Sequence, residues 1–445
     1  MKKMITILLS AVMILSVLLT LPPLQAKAAA FAIDFDTACQ SVYLENLDTG
    51  TVIYSKKPND RRFPASTTKI MTYIITVENI KDLKNTMVTV KESTLKLLEG
   101  TGSSVAGIRA KETLSVYQLL CCLMIPSGND AAIILADYVG NGSIQDFVDM
   151  MNDKAKQLGC TGTHFANPHG LNNPNHYTTV SDMAKITKHA LSLPEFESIS
   201  NMTSSDCLGE DRTLYTTNYM IDPVRGGDYY YEYAKGIKTG STGNDSGYCL
   251  VSTASRDGYT YLCIAYGAPY EDENGEYYDN GAMLDSQKLY QWAFGNFGIK
   301  TVIDTNDLVK EVKLRFAWNR DSLQLAPAKS FSALLPHDLD LSSIDRAYNI
   351  PESIDAPVKA GDKIGTVTLS YADEKLATID LVASETVERS DLLIALDTTK
   401  NIVTSGWFMV VIIIVVGLVF GYIILAAVYN HRKRNRRPVK KYRKF

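Results

Sequence analysis

The chain has 445 residues, 46% of them hydrophobic, with 45 basic and 49 acidic residues. That length exceeds a usual single domain, and the apolar content supplies a large core plus membrane-seeking segments. With the three lysines of residues 1–30 and nine basic residues of the C-terminal tail set aside, 33 basic residues face 49 acidic ones, a net of −16 that gives no support for a nucleic-acid partner.

Residues 1–30 open with Lys2 and Lys3, run apolar from Ile5 to Leu21 and close on Ala26-Lys27-Ala28, the pattern of a secretory signal peptide. Ser41 to Asn46 and Thr51 to Ser55 alternate apolar and polar residues around Leu47-Asp48-Thr49-Gly50, which predicts a β-hairpin. It leads into Pro64-Ala65-Ser66-Thr67-Thr68-Lys69 and then an apolar run, Ile70 to Val77. At a helix start, residues three apart stand one turn above the other on one face. A lysine placed there acts as base toward the Ser66 hydroxyl if it is neutral, and burial, the helix dipole and a second cation each favour that state.

From Val90 to Glu112 the chain is polar and predicts loops with short strands. Leu114 to Met124 is a helix that Pro126 ends, and Asp130 to Val139 and Ile144 to Leu158 are two more, the first with Asn129 or Asp130 as N-cap. Gly162 to Thr179 is a long irregular segment before a helix from Ser181 to about Leu193. Ala234 to Thr239, Tyr248 to Ala254 and Tyr259 to Tyr266 predict an antiparallel meander, closed by a helix from Leu284 to Phe297.

Catalytic chemistry is thus expected within residues 31–299 and a small all-β domain in 300–392, followed by a linker over 393–406. Trp407 to Val428 carries no charge over the length of a transmembrane helix, and residues 429–445 form a basic tail. By the positive-inside rule the tail is cytoplasmic, so everything before Trp407 lies outside the cytoplasmic membrane.

Three motifs stand in order: Ser66-x-x-Lys69, Ser127-x-Asn129 and Lys238-Thr239-Gly240. The first alone is weak, since Ser93-Thr94-Leu95-Lys96 matches it too, but Lys-Thr-Gly occurs once against roughly 0.1 expected by chance. The seven cysteines show neither C-x-x-C spacing nor a disulfide framework, and Cys121 and Cys122 read as buried small hydrophobes. Six histidines without H-E-x-x-H, and no G-x-S-x-G, leave no metal or cofactor site and no Ser/His/Asp triad, so His169 is assigned to loop ordering.

The three motifs are the signature of class A β-lactamases and penicillin-binding proteins. With Ser127-Gly128-Asn129-Asp130-Ala131-Ala132 and Asn167-Pro168-His169-Gly170-Leu171, the chain most resembles the serine-type D-alanyl-D-alanine carboxypeptidases, over residues 31 to about 392. The resemblance implies an α/β (α+β) transpeptidase fold, an antiparallel sheet flanked by helices, with the β-rich domain and membrane attachment behind it. It implies Ser66 as acylated nucleophile, Lys69 as general base and Ser127 as proton relay, with peptidoglycan stem peptides as substrates and β-lactam antibiotics as covalent inhibitors. Asn129 then holds the substrate amide, Lys238 and Thr239 of the Lys-Thr-Gly strand take its terminal carboxylate, and the backbone N–H groups of Ser66 and Ser241 take the oxyanion. Some relatives carry histidine or threonine where this chain has Ser241. Two rivals remain, a β-lactamase and a non-catalytic cell-wall binding protein. Against the first, Glu195, Glu197, Glu210 and Glu232 between the second and third motifs lack the Glu-x-x-Leu-Asn pattern of a water-activating loop.

Overall fold

Tyr259 to Ala268 is apolar on both faces, which suits a strand covered on both sides, and that is where it lies. The structure, a computed structural model, describes residues 33–372 and 374–434; the expected signal peptide and residues 435–445 of the tail fall outside them. The chain divides into residues 1–298 with 334–337, and residues 299–333 with 338–445.

In the first unit, strands β1 (Ser41–Asn46), β2 (Thr51–Lys56), β3 (Ala234–Ser241), β4 (Tyr248–Arg256) and β5 (Tyr259–Ala268) form an antiparallel sheet in the order β2-β1-β5-β4-β3. Tyr43 faces Ile264 and Thr239 faces Leu250 in its registers. Along β5, Leu262, Ile264 and Tyr266 enter one core while Tyr261, Cys263 and Ala265 enter the other, the two-residue period of a strand.

The first core is shared with helices α1 (Lys69–Asn79), α2 (Val116–Met124), α3 (Asn129–Val139), α4 (Ile144–Gln157) and α5 (Val180–Leu191); the second with α6 (Gly281–Asn296). Every residue of α1 from Lys69 to Val77 is buried, so this helix is enclosed on all sides. Helix α2 begins on a capping box between Ser115 and Gln118. The expected N-cap of α3 needs correction: Gly128 occupies it without a side-chain bond, because Asn129 and Asp130 spend their side chains elsewhere.

The short strands expected inside residues 90–112 flank that segment instead, Met87–Thr89 pairing with Thr113–Ser115. Inside it Glu92–Lys96 is a short helix, where Ser93 is exposed and Lys96 pairs with Glu92, so the second Ser-x-x-Lys match is a surface turn.

The second unit holds a six-stranded sheet of β6 (Lys310–Arg315), β7 (Ser322–Pro327), β8 (Asp345–Asn349), β9 (Ser353–Asp355), β10 (Lys363–Tyr371) and β11 (Glu374–Ala383), in the order β8-β10-β11-β7-β6-β9. The stretch read as a linker over 393–406 is instead largely helix α7 (Asp391–Thr404). Ser390 caps it and Asp391 sits in its first turn, both favourable at a helix start. Helix α8 (Gly406–Arg434), whose most apolar 18 residues have a mean hydropathy of 3.1, encloses the expected span and is long and apolar enough to cross a membrane. All seven cysteines are free, and Cys121 and Cys122 are completely buried in the core.

Candidate active site

Pro64 leads into a single 3-10 turn, Ala65–Thr68, that runs into α1 and sets Ser66 one turn from Lys69. Lys69 Nζ lies 2.9 Å from Ser66 Oγ, 2.5 Å from Asn129 Oδ1 and 2.9 Å from the His169 carbonyl. Two of these neighbours only accept. A neutral amine donates its two N–H bonds to them and turns its lone pair to the serine hydroxyl, which is the arrangement of a base. Lys69 is completely buried, and desolvation, followed by the charge of Lys238, pushes its pKa well below the ordinary value against a smaller opposing pull from Asp130.

Helix α3 delivers Asn129, and its neighbour Asp130 shapes the wall opposite. The Asp130 carboxylate accepts from the N–H groups of Ala106 (2.9 Å) and Ile108 (3.1 Å), while Ser104 O accepts from Asn129 N at 2.8 Å. These bonds hold Thr101 to Ser104 beside Ser66, where they line a cleft of about 390 Å³ with Asn129, His169, Asn172, Ser241 and Thr242.

The third wall is β3. A Cβ on Gly240 would sit 3.0 Å from Ser66 N and 3.1 Å from Pro64 O, so the absence of a side chain lets the strand pass directly beside Ser66. Lys238 is buried, donates to Thr239 O at 3.0 Å and is pushed down to about 7 by desolvation. The Thr239 hydroxyl is 2.5 Å from that of Thr217.

The loop after Gly162 closes the site from below. Asn167 braces it, accepting from His169 N and Gly170 N and donating to Leu171 O. Gly170 has φ +93°, and a Cβ there would fall 1.9 Å from Ala65 O. His169 Nδ1 accepts from Leu171 N, and burial pushes the ring down to about 3, so it stays neutral, while its carbonyl accepts from Lys69.

The structure thus gathers Ser66, Lys69, Asn129, Gly240 and Ser241 around one cleft, with Lys238 and Thr239 on the same strand. Ser127 lies two residues before Asn129, buried in a left-handed conformation (φ +63°). Sequence reasoning missed Asp130, Thr217 and His176. His176 Nδ1 accepts from Ala166 N, so its Nε2–H donates to Thr68 Oγ1 at 2.7 Å and ties the long loop to the Ala65–Thr68 turn. No group of histidine, cysteine or carboxylate residues fit for a metal ion occurs among the described residues.

The model of the S11 peptidase family, D-alanyl-D-alanine carboxypeptidase, matches residues 25–269, more than half of the chain. The chain belongs to this carboxypeptidase family. A model of the C-terminal domain of penicillin-binding protein 5 matches residues 297–389, the β-rich unit. The carboxypeptidase DacF of Bacillus subtilis is 30% identical over 81% of this chain and 89% of its own, and DacC of Escherichia coli 29% identical over 76% and 82%. Among solved structures, penicillin-binding protein 5 from Haemophilus influenzae superposes with a TM-score of 0.62 at 25% identity, covering 81% of this chain and all of that one.

Burying two lysines has a consequence for stability. The folded pKa of Lys238, about 7, lies below the ordinary lysine value near 10.4, so between those values the unfolded chain binds more protons and stability rises with pH. Lys69 acts in the same direction. Melting curves from pH 7 to 9.5 are expected to show a steeper rise for the wild type than for Lys238→Met. Parallel curves would mean that Lys238 keeps an ordinary pKa.

Proposed function

We propose that this member of the carboxypeptidase family is a serine-type enzyme that removes the terminal D-alanine from peptidoglycan stem pentapeptides. The observation that carries the reading is the buried Lys69 amine, its pKa pushed well down by desolvation and the charge of Lys238, held by two acceptors within 2.9 Å of Ser66 Oγ.

Ser66 Oγ attacks the carbonyl of the last peptide bond as its proton passes to Lys69. The Ser66 and Ser241 N–H groups receive the oxyanion, and Asn129, whose Oδ1 is held by Lys69, keeps its NH₂ for the substrate amide. Lys238 and Thr239 take the terminal carboxylate, whose charge favours protonated Lys238 once bound. Collapse breaks the C–N bond as Ser127 gives its proton to the departing D-alanine amine and takes up the one Lys69 received from Ser66, which leaves Lys69 neutral again to activate the water that hydrolyses the acyl-enzyme.

β-Lactams present a strained amide to the same serine and are expected to acylate it. No carboxylate lines the cleft among the described residues, and Glu195, the nearest acid after α5, is engaged with Ser198 and Lys84. The penicilloyl-enzyme retains its leaving group in the cleft, where it blocks the water that the smaller natural acyl-enzyme admits, and no carboxylate offers a second route, which separates this reading from a β-lactamase. Intact mass and peptide mapping after benzylpenicillin should show one adduct on Ser66 that persists for minutes or longer. An adduct on Ser93, or rapid multiple turnover of penicillin, would overturn the assignment.

Helix α8 is the membrane span in this reading, with the catalytic unit outside and the basic residues after it in the cytoplasm. Protease added to intact cells should remove the catalytic unit and spare an epitope placed after Phe445. Loss of the epitope across a sealed membrane would reverse the orientation.

A further inference from the structure

Beside the catalytic cleft lies a second cavity, about 690 Å³, that the chemistry above does not use. The two share a wall: Asn172 lines the cleft, Asp245 lines the cavity, and the Asn172 amide donates to the Asp245 carboxylate. They also share a strand end, because Ser241 and Thr242 line the cleft while Asn244, three residues beyond Ser241, lines the cavity. At the rise of a strand those three residues span at most about 10 Å.

The charges in the cavity are spent unequally. Of the two adjacent arginines, Arg62 is committed to Ser41 Oγ, Gln40 Oε1 and Asp60 Oδ2. Arg61 makes no ion pair or hydrogen bond among the described residues; its guanidinium lies 4.2 Å from the centre of the Tyr177 ring. Stacking occupies the face of the guanidinium and leaves its in-plane N–H fork free, the geometry that receives a carboxylate on two bonds. The cavity's own acids do not fill that fork: Asp245 is tied to Asn172, and Glu271 accepts from Asn244 at 3.1 Å.

We propose that this cavity is an extension of the substrate site, in which Arg61 receives a carboxylate carried two or three residues to the amino side of the cleaved bond. The inference rests on the carboxypeptidase reading for the direction of the peptide. With the terminal carboxylate at Lys238 and Thr239 and the scissile carbonyl at Ser66, the amino side of the substrate leaves along Ser241 and Thr242 toward Asn244. Three extended residues cover about 10 Å, which matches that path. Arg61 is then a specificity residue: it selects acidic stem peptides without touching the reacting atoms.

The test uses the full chain in detergent and three peptides: L-Ala-γ-D-Glu-L-Lys-D-Ala-D-Ala, the same peptide with its free glutamyl carboxylate amidated, and N-acetyl-L-Lys-D-Ala-D-Ala, which is too short to reach Arg61. Wild type should release D-alanine from the acidic pentapeptide with a kcat/KM about tenfold above that for its amide, mostly through KM. Arg61→Gln should erase that difference while the short peptide is cleaved at one rate by both proteins. Equal kcat/KM for acid and amide in the wild type, or a loss in Arg61→Gln of the same size on all three peptides, would overturn the proposal.

Calorimetry with Ser66→Ala, with and without Arg61→Gln, measures the same preference as binding, independent of turnover. Tighter binding of the acid than the amide, lost with Arg61, upholds the subsite even if no peptide yields D-alanine, in which case the carboxypeptidase reading alone falls. Equal binding beside steady D-alanine release removes the subsite and leaves that reading intact.

Discussion

Replacing Lys69 by methionine lowers the rate at which benzylpenicillin acylates Ser66 by about 100-fold or more, the scale of a lost general base. Methionine fills the same buried volume, so the loss reports proton transfer and not a collapsed cavity. It does strand the Asn129 Oδ1 and His169 carbonyl acceptors that Lys69 satisfies, and an unpaired buried acceptor costs about 1–3 kcal/mol. Removing the need to bury an amine offsets part of that, and a cooperative melt of the variant shows whether the fold survives. The pH profile adds a sign. Acylation needs neutral Lys69, so its rate climbs as pH rises through the Lys69 pKa, which the charge of Lys238 helps to hold down. Lys238→Met therefore moves the acid limb of penicillin acylation to higher pH. A near-wild-type rate in folded Lys69→Met would hand the base role to another residue.

Gly170→Ala is expected to cost about 100-fold in acylation, without any change to a group that touches substrate. The added methyl would lie 1.9 Å from Ala65 O and 2.4 Å from Ala65 C, both backbone atoms of the residue preceding the nucleophile, and φ +93° disfavours any side chain there. Either the Asn167 to Leu171 loop retreats, withdrawing the His169 carbonyl from Lys69, or the Ser66 turn shifts. A displacement near 1 Å at a reacting centre costs on the order of 100-fold. Gly142→Ala is the control: its φ is +95° but nothing lies within 4 Å of the added atom, so it carries the backbone strain without the collision. Stopped-flow acylation of both variants separates the two effects, and equal rates would show that the loop yields without disturbing the serine.

What was legible in the sequence was local. Ser66 and Lys69 are one turn apart whatever surrounds them, and the apolar run of Tyr259 to Tyr266 after the Asp257-Gly258 turn announced a strand before its neighbours were known. The order β2-β1-β5-β4-β3, with the first hairpin inserted beside the last strand of the meander, is a long-range choice that no window of residues contains. Asn129 was legible as a site residue but not as a ligand of Lys69, a contact across 60 positions, and for that reason it was misread as a candidate helix cap. His176 to Thr68, Asp130 to Ala106 and Thr217 to Thr239 are likewise bonds between distant segments, made by residue types common in loops. The helix within the linker went unread for a different reason: Ser390-Asp391 at the head of an apolar, helix-favouring stretch is a start signal that proximity to the membrane span obscured.

The most direct measurement is the release of free D-alanine from N-acetyl-L-Lys-D-Ala-D-Ala by the full chain in detergent, beside its Ser66→Ala variant. The wild type is expected to turn over with one D-alanine per peptide and the variant to release none, with inhibition of the wild type in step with penicillin bound at Ser66. Release that survives Ser66→Ala, or rapid hydrolysis of penicillin with no D-alanine from the peptide, would contradict the Ser66 carboxypeptidase reading.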